Sequence, residues 1–510
     1  MEILQANGVD EAFLAQALPW THGTSYYREH EVFRLAMPHS DDERFYPMAN
    51  LQQNMFEALL VERAQALGVE IRWRSRVVGV RQHQATAQAN AQAANQAAHA
   101  GVPHGSAAGT VELDIDTPEG VYTLSARFVI AADGARSELR RLMGLTLSGE
   151  SHEGRYLIAD IKMASSYPTE RRAWFDPASN PGKTVLVHKM ARDMWRIDYA
   201  LDPDENEAAE MMEARVKERI GRHLDWIGET AAWTLDWVRL YKAHCLCLDD
   251  YRHGNLFFIG DAAHLVPIFG VRGMNSSMAD ANNLSWKLAA VLKGDAPDAL
   301  LDSYSPERRA ATFDVFANAA KSTRFMSPPT RGFTLLRDAA LQIAVSEEFA
   351  GQWINPRQSA PYDYIDSPLT TPDDSGFTHG ARHGAPMTCV KLADGSHLTG
   401  YLGAGFTLLV FGDEAVTAEL RAACRQAGSV SRTAPIKGSL HDVPQRLPRD
   451  LVIRNIGDAA AMRACGAAAG SAYLVRPDGH VCARWRCAAG SPVRAALARA
   501  LGVPGNNGGE

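Results

Sequence analysis

Leu256-Phe257-Phe258-Ile259-Gly260-Asp261-Ala262-Ala263-His264 is the stretch on which the fold turns. Four consecutive apolar residues are the pattern of a strand buried on both faces, as in parallel sheets. Gly260-Asp261 then falls at the carboxyl end of that strand, where open α/β sheets bind their ligands. Glycine lets the backbone approach a ligand closely, and the aspartate offers a fixed acceptor for a hydroxyl. A loop containing Pro267 and Gly270 follows, and Gly273-Met274-Asn275 opens a long helix. Its expected apolar face is Met278, Ala281, Leu284, Leu288 and Val291 or Leu292, and Gly294 is its stop. A helix N-terminus presents unpaired N–H groups and a partial positive charge, which favours an anionic ligand. Strand, acidic turn, loop and helix together predict a cradle for a large planar cofactor.

Upstream, Arg127 to Ala132 is a second run expected to be buried on both faces. Asp133-Gly134 ends it, and a short helix from Ser137 to Met143 closes at Gly144. Helices are expected at about 1–18 and 50–67, the second ended by Gly68, and a strand over Val69 to Val80. Residues 83–109 are almost wholly Ala, Gln, Asn, His and Gly, a composition with no apolar face, and predict a disordered insert. Short strands follow at Thr110 to Ile115 and Val121 to Ser125. From 153 to 245 the strands Tyr156 to Met163, Thr184 to Lys189, Met194 to Leu201 and Thr234 to Tyr241 surround one charged helix at about 205–222. Strands in succession with few helices predict a mainly antiparallel sheet. Residues 346–380, rich in Pro, Ser, Asp and Gly, predict a linker. The tail beyond 381 reads as a small α/β unit, with strands at Phe406 to Phe411 and Ala472 to Val475 and helices at about 414–427 and 491–501.

The run Gly260-Asp261-Ala262-Ala263-His264, Pro267, Gly270, Gly273-Met274-Asn275, Asp280, Asn283-Leu284 and Trp286-Lys287-Leu288 resembles the second FAD fingerprint of the class A flavoprotein monooxygenases. That family includes the para-hydroxybenzoate, phenol and hydroxyphenylpropionate hydroxylases. The resemblance implies that Asp261 bonds the ribityl chain of FAD and that Gly273, Met274 and Asn275 face the isoalloxazine. Asp133-Gly134-x-Arg136-Ser137 with Arg140 resembles the family's DG motif, which touches FAD and helps with NAD(P)H, and Gln53 with Glu57 resembles a helix glutamine that reaches FAD. Gly405 to Phe411 and Tyr473 to Gly479 resemble the thioredoxin-like domain of the phenol-hydroxylase branch. This stretch has no C-x-x-C, so a structural or subunit-contact role is expected of it, with a homodimer as the candidate assembly.

The implied fold is α/β. A truncated Rossmann-like FAD-binding domain (1–152 and 246–345) carries an inserted, mainly antiparallel substrate-domain sheet (153–245). A linker (346–380) and a thioredoxin-like domain (381–510) complete it. The implied reaction is hydroxylation of a small phenolic or related aromatic substrate. NADH or NADPH reduces FAD, O2 is taken up as a C4a-hydroperoxyflavin, and the cofactor carries the oxygen chemistry. No G-x-G-x-x-G unit precedes Met1-Glu2-Ile3-Leu4, so at least one βαβ-sized piece of the family pattern is missing. Two explanations stand, a start codon assigned too far downstream and a truncated gene. The rival readings are another flavin reaction on the same scaffold and a fragment that cannot retain FAD. For halogenation, the W-x-W-x-x-I signature is absent.

A net charge of −7 without a basic stripe argues against a nucleic-acid partner. No apolar run reaches the ~18–20 residues of a membrane span, and no secretory signal opens the chain. The seven cysteines, without zinc or dithiol spacing, predict reduced thiols in a cytoplasmic enzyme, and no metal site is expected. His264 is expected to be structural more than a proton relay. Arg272 could pair with an anionic substrate or an FAD phosphate, or stay solvated. His188, Arg196, Tyr199 and Tyr241 are candidates to line a substrate pocket, although alternation along a strand cannot say which face each takes. Trp195, Trp226, Trp233 and Trp237 are expected to pack.

Overall fold

The computed structural model of the chain describes residues 1–37, 39–83, 109–202, 204–267, 272–354, 361–373, 376–426 and 451–503. The expected disordered insert therefore lies outside the described residues except for His83 and Gly109, as does Gly270 of the loop before Gly273. Among the described residues no helix is long and apolar enough to cross a membrane, and no three His, Cys, Asp or Glu side chains gather as a metal site.

Among the described residues the largest sheet has eight strands. They are β1 (His22–Tyr27), β2 (His30–Ala36), β3 (Ser148–Met163), β4 (Arg171–Phe175), β5 (Thr184–Lys189), β6 (Met194–Leu201), β7 (Trp233–Cys247) and β8 (His264–Leu265). Their spatial order is β8-β7-β3-β6-β5-β4-β1-β2. All neighbours run antiparallel except β4 and β1, which are parallel. The expected span of 153–245 was too narrow, and residues 1–152 are not one unit, because β1 and β2 add to this sheet. Thr24 on β1 donates to Glu170 at 2.9 Å, and Tyr26 stacks on Trp174 at 5.3 Å. These partners lie about 150 residues away, beyond the reach of local pattern.

Strand alternation gives the sheet two apolar faces. Leu157, Ala159, Val185, Val187, Ile197 and Tyr199 pack on the helix Glu213–Trp226 through Val216, Ile220 and Leu224. Tyr156, Ile158, Ala173, Phe175, Leu186 and Ala200 face the other way, toward Met326, Leu341 and Ala344. Those three come from the helices Tyr304–Met326 and Arg331–Ala344.

The single helix expected over 1–18 is two short ones, Glu2–Ala6 and Asp10–Leu14, broken where Gly8 takes φ +67°. The strand expected from Val69 begins only at Arg76, after Arg74 turns with φ +54°. Helix Gln53–Ala66 is as expected. Leu256–Phe258 is fully buried and pairs in parallel with Val129–Ala131. Among the described residues the latter is an edge of its three-stranded sheet and Ile130 is 44% exposed, so there this strand is not covered on both faces.

The C-terminal sheet has the order Val452–Ile456, Thr407–Phe411, Ala472–Val475, Val481–Trp485, with the first pair parallel and the others antiparallel. Its core is continuous with the core around Leu256–Phe258, and Trp286 meets Phe406 edge to face at 5.5 Å. A buried ionic cluster crosses the same boundary. Glu307 accepts from Lys287 at 2.7 Å and from both Nη atoms of Arg476 at 2.7 and 3.0 Å. Arg476 also pairs with Asp478, whose carboxylate accepts from the Trp286 indole at 3.1 Å. The 346–380 segment, where described, is no loose linker. Tyr364 and Leu369 are buried, and the Tyr364 hydroxyl accepts from Arg308 at 2.8 Å.

Candidate active site

The Gly260–Ala262 turn is a 3-10 segment at the end of the buried strand. Gly260 takes φ +56°, and a Cβ there would stand 2.8 Å from Ser277 Oγ, so both conformation and space require glycine. The turn is held from behind by Asp280, on the helix Gly273–Lys293. One oxygen of Asp280 accepts from Gly260 N at 2.9 Å and meets His264 Nε2 at 2.6 Å; the other accepts from Arg308 Nε at 2.6 Å. Burial alone would raise the Asp280 pKa, but His264 and Arg308 bring it down to about 2. His264 is thus part of a buried brace, in keeping with the structural role expected for it. Apolar periodicity missed this brace. The buried stripe of the helix carries Asp280, Asn283 and Lys287 beside Leu284, Leu288 and Val291, while Leu292 is exposed.

The Asp133-Gly134 turn lies against the first. Asp133 accepts from Leu139 N at 3.0 Å, and Ser137 caps the helix Glu138–Leu142 through Arg140 N. The Arg140 side chain then clasps the two turns together. Its Nη1 donates to Ala262 O at 2.9 Å and its Nη2 to Ala135 O at 2.6 Å. Gly134 has φ +79°, and nothing lies within 4 Å of where its Cβ would be. A cavity of about 770 Å³ opens beside Asp133, with Arg74, Arg76 and Glu138 in its wall.

The front of the site presents polar groups and a helix start. Asp261 is exposed, and its carboxylate makes no hydrogen bond with a described residue. It is nevertheless set deep enough that desolvation raises its pKa against the pull of His264. The helix at Gly273 has no side-chain cap, and Met274 and Asn275 are exposed at its start. Pro267 is buried, and Val266 O before it accepts from Tyr241 at 2.7 Å. An open glycine turn, an unengaged carboxylate and an uncapped helix start together offer donors and an acceptor to a ligand. Gln53 is exposed and donates to Glu57 at 2.7 Å, so no hydrogen bond joins it to these residues. Arg272 is buried, which removes the solvated alternative; its Nη1 donates to Val315 O at 3.5 Å.

Three of the four pocket candidates on the sheet share one face. His188, Arg196 and Tyr241 lie on the side that meets the helix Tyr304–Met326. Tyr199 does not: it is fully buried on the opposite face and donates to Arg219 O at 3.1 Å. Trp195, Trp226 and Trp233 pack on that opposite side, whereas Trp237 is 40% exposed. Sequence reading missed Asp160, Arg171 and Asp198, which stand on the same face as His188. Burial pushes the Asp198 carboxyl up to about 6, against Arg196 and Arg171. A carboxyl raised in the folded state binds protons more tightly than in the unfolded chain. Its contribution to stability is therefore greatest below about pH 4 and is lost as pH rises to about 6. Asp198→Asn is expected to stabilise the protein at pH 7 by on the order of 2–3 kcal/mol and to leave it unchanged at pH 4. Urea unfolding at both values checks this, and an equal effect at the two would refute it.

The family model described as FAD binding domain matches residues 1–319. A 3-(3-hydroxy-phenyl)propionate/3-hydroxycinnamic acid hydroxylase of Mycolicibacterium gilvum (strain PYR-GCK) is 31% identical over 244 residues, covering 47% of this chain and 41% of that protein. The match thus spans less than half of that relative. Aklavinone 12-hydroxylase RdmE of Streptomyces purpurascens is 28% identical over 520 residues, with 95% of this chain and 86% of that protein covered. Among solved structures, the flavin-dependent monooxygenase PieE in complex with FAD and substrate superposes with a TM-score of 0.73 at 22% identity. That superposition covers 99% of this chain and 91% of the other, and is a likeness of fold.

Proposed function

Because the chain belongs to the FAD binding domain family, we propose that it is an FAD-dependent monooxygenase that hydroxylates a phenolic or related aromatic substrate, using NADH or NADPH and O2. One observation carries this reading: Arg140 clasps the Asp133-Gly134 turn to the Gly260-Asp261 turn and leaves the Asp261 carboxylate unengaged beside an uncapped helix. FAD, when bound, supplies the redox and oxygen chemistry. The chain holds it and shapes its surroundings. Asp261 accepts from a ribityl hydroxyl, and the helix start at Gly273, Met274 and Asn275 favours negative charge on the ring. Asp133 and Gly134 border the same cofactor, Gly260 and Pro267 set the approach of the backbone, and Gln53 reaches it by leaving Glu57. The broad sheet forms the roof over the substrate and keeps water from the reacting ring. In this reading the FAD-binding domain is interrupted by that sheet, which also takes β1 and β2, and the C-terminal unit is thioredoxin-like.

The test is reconstitution of the full chain with FAD, followed by NADH or NADPH oxidation with a panel of phenols. The expected result is a product one oxygen heavier than the phenol, formed in step with O2 consumption. Cofactor oxidation that never yields a hydroxylated ring, or a chain that takes up no FAD, would overturn it.

A further inference from the structure

The helix Arg331–Ala344 covers part of the broad sheet with one side only. Arg337, Leu341 and Ala344 point inward and are buried. The opposite side carries Gly332, Leu336, Ala339 and Ile343, with Ser346 just past the helix end, and all five are exposed. Their spacing is four, three, four, three. That spacing is the seam of a coiled coil, where the stripe faces a second helix. Leu335 lies beside it, and Leu335 and Leu336 are 62% and 67% exposed. A helix with apolar residues on opposite sides belongs between two bodies, because one body covers only one side.

The apolar surface is large. Phe333 adds to it at the first turn, and Phe349 and Trp353, edge to face at 5.4 Å, are both exposed just beyond the last. With Leu335, Leu336 and Ile343 these make six side chains of roughly 200 Å² each, about half uncovered, or on the order of 600 Å² per copy. An ordinary monomer's largest apolar patch is about 300–600 Å². A stable complex buries about 800 Å² per partner, which this patch approaches before any polar rim is added.

The pattern of the stripe fits a second copy of itself. When two such helices run antiparallel about a point between Leu336 and Ala339, Leu336 of each meets Ala339 of the other, and Ile343 meets Gly332. Large meets small at every step, which lets the two axes approach closely. Gly332 has room for this, since only Thr330 Oγ1 lies within 4 Å of where its Cβ would be. The charges match as well. Arg331 comes to the C-terminal end of the other helix, where the backbone dipole favours a cation and where Glu347 and Glu348 stand exposed. None of these three side chains pairs with a described residue. Stripe and charges are both self-complementary, as a two-fold contact requires.

We propose that two copies of this chain associate through the helix Arg331–Ala344, antiparallel about a two-fold axis between Leu336 and Ala339. Arg331 of each copy pairs with Glu347 or Glu348 of the other. The C-terminal unit, expected from its sequence to make subunit contacts, takes no part in this pairing. The contact pins the helix from its outer side, while the sheet holds it from within. The inference stands apart from the proposed reaction, and its test needs neither flavin nor turnover.

Sedimentation velocity of the full chain over a dilution series is expected to give a particle of twice the chain mass at about 10 μM, since interfaces of this class hold at micromolar Kd or tighter. Leu336→Glu sets two carboxylates near the axis and is expected to weaken association at least about 30-fold. Exchanging charges tests the register at exposed positions that the fold does not need. Arg331→Glu in one preparation, and Glu347→Arg with Glu348→Arg in another, each set like charges together and are expected to weaken self-association about 10-fold. Mixed in equal amounts, the two preparations bring opposite charges together at both ends and are expected to recover the original affinity. A monomeric chain, a Leu336→Glu variant that associates as tightly as before, or a mixture no tighter than its components overturns the inference. So does a monomer that floats with phosphatidylglycerol vesicles, which would assign the stripe to a lipid surface.

Discussion

Asp261→Ala is expected to empty the protein of flavin on passage through a gel-filtration column, while its melting temperature without FAD stays where it was. The first half follows from what the carboxylate is free to do. It makes no hydrogen bond to a described residue, and it projects beside a glycine turn that the Asp280 brace holds rigid. A hydrogen bond to a charged acceptor contributes about 1.5–3 kcal/mol, so its loss weakens retention by roughly 10- to 150-fold. The second half follows from the same freedom, since an exposed side chain without partners can be removed within about 0.5 kcal/mol. Asp261→Asn, which keeps an acceptor without the charge, should fall between. Unchanged flavin absorbance in Asp261→Ala after gel filtration would remove the residue from the site.

Glu307→Gln should cost about 3–5 kcal/mol, the usual loss when one partner of a buried ionic cluster is removed. Lys287, Glu307 and Arg476 are each at most 2% exposed in their side chains. Neutralising the glutamate leaves an ammonium and a guanidinium facing one another with only Asp478 to balance them. Lys287 already has its pKa pulled down to about 8, by burial first and by Arg476, with Glu307 opposing. Without Glu307 it is expected to fall further. The cluster holds the Glu307 carboxyl well below the ordinary range despite its burial. Its stabilisation is therefore complete at neutral pH and is lost as pH falls through and below about 4. Urea unfolding of the variant at pH 7 measures the effect, and a loss under about 1 kcal/mol would show that the cluster contributes little.

Much of the local structure was legible because it is written in local pattern. β5 and β6 begin and end at the residues where alternation begins and ends, and the helix at Gly273 stops at Gly294, which takes φ +76°. The two clasped turns were legible as Asp-Gly and Gly-Asp pairs at strand ends. Their clasp was not, because Arg140 reaches across 122 residues to Ala262. The helix Gly273–Lys293 shows the limit most clearly. Asp280, Asn283 and Lys287 count as surface in any apolar tally, yet they are buried because Glu307 and Arg308 complete them, with Arg476 and Asp478 beyond. Asp160, Arg171 and Asp198 stayed hidden for another reason. Alternation sorts residues 184–189 and 194–201 into two sets, but only the packed helices decide which set meets Glu213–Trp226 and which meets Tyr304–Met326.

The parallel pairing of β1 with β4 joins Gly23 to Arg171 and Tyr27 to Phe175. During synthesis, the first of these strands leaves the ribosome long before its partner exists. At about 5–20 residues per second, a gap of about 150 residues is a wait of roughly 7–30 s. Throughout that interval the β1–β2 hairpin carries Tyr26, Tyr27 and Phe33 with nothing to cover them. A two-stranded hairpin is at best marginal in water. The nascent chain therefore passes through a period in which this hairpin is adhesive, and β1 can pair with β4 only when residue 175 has emerged.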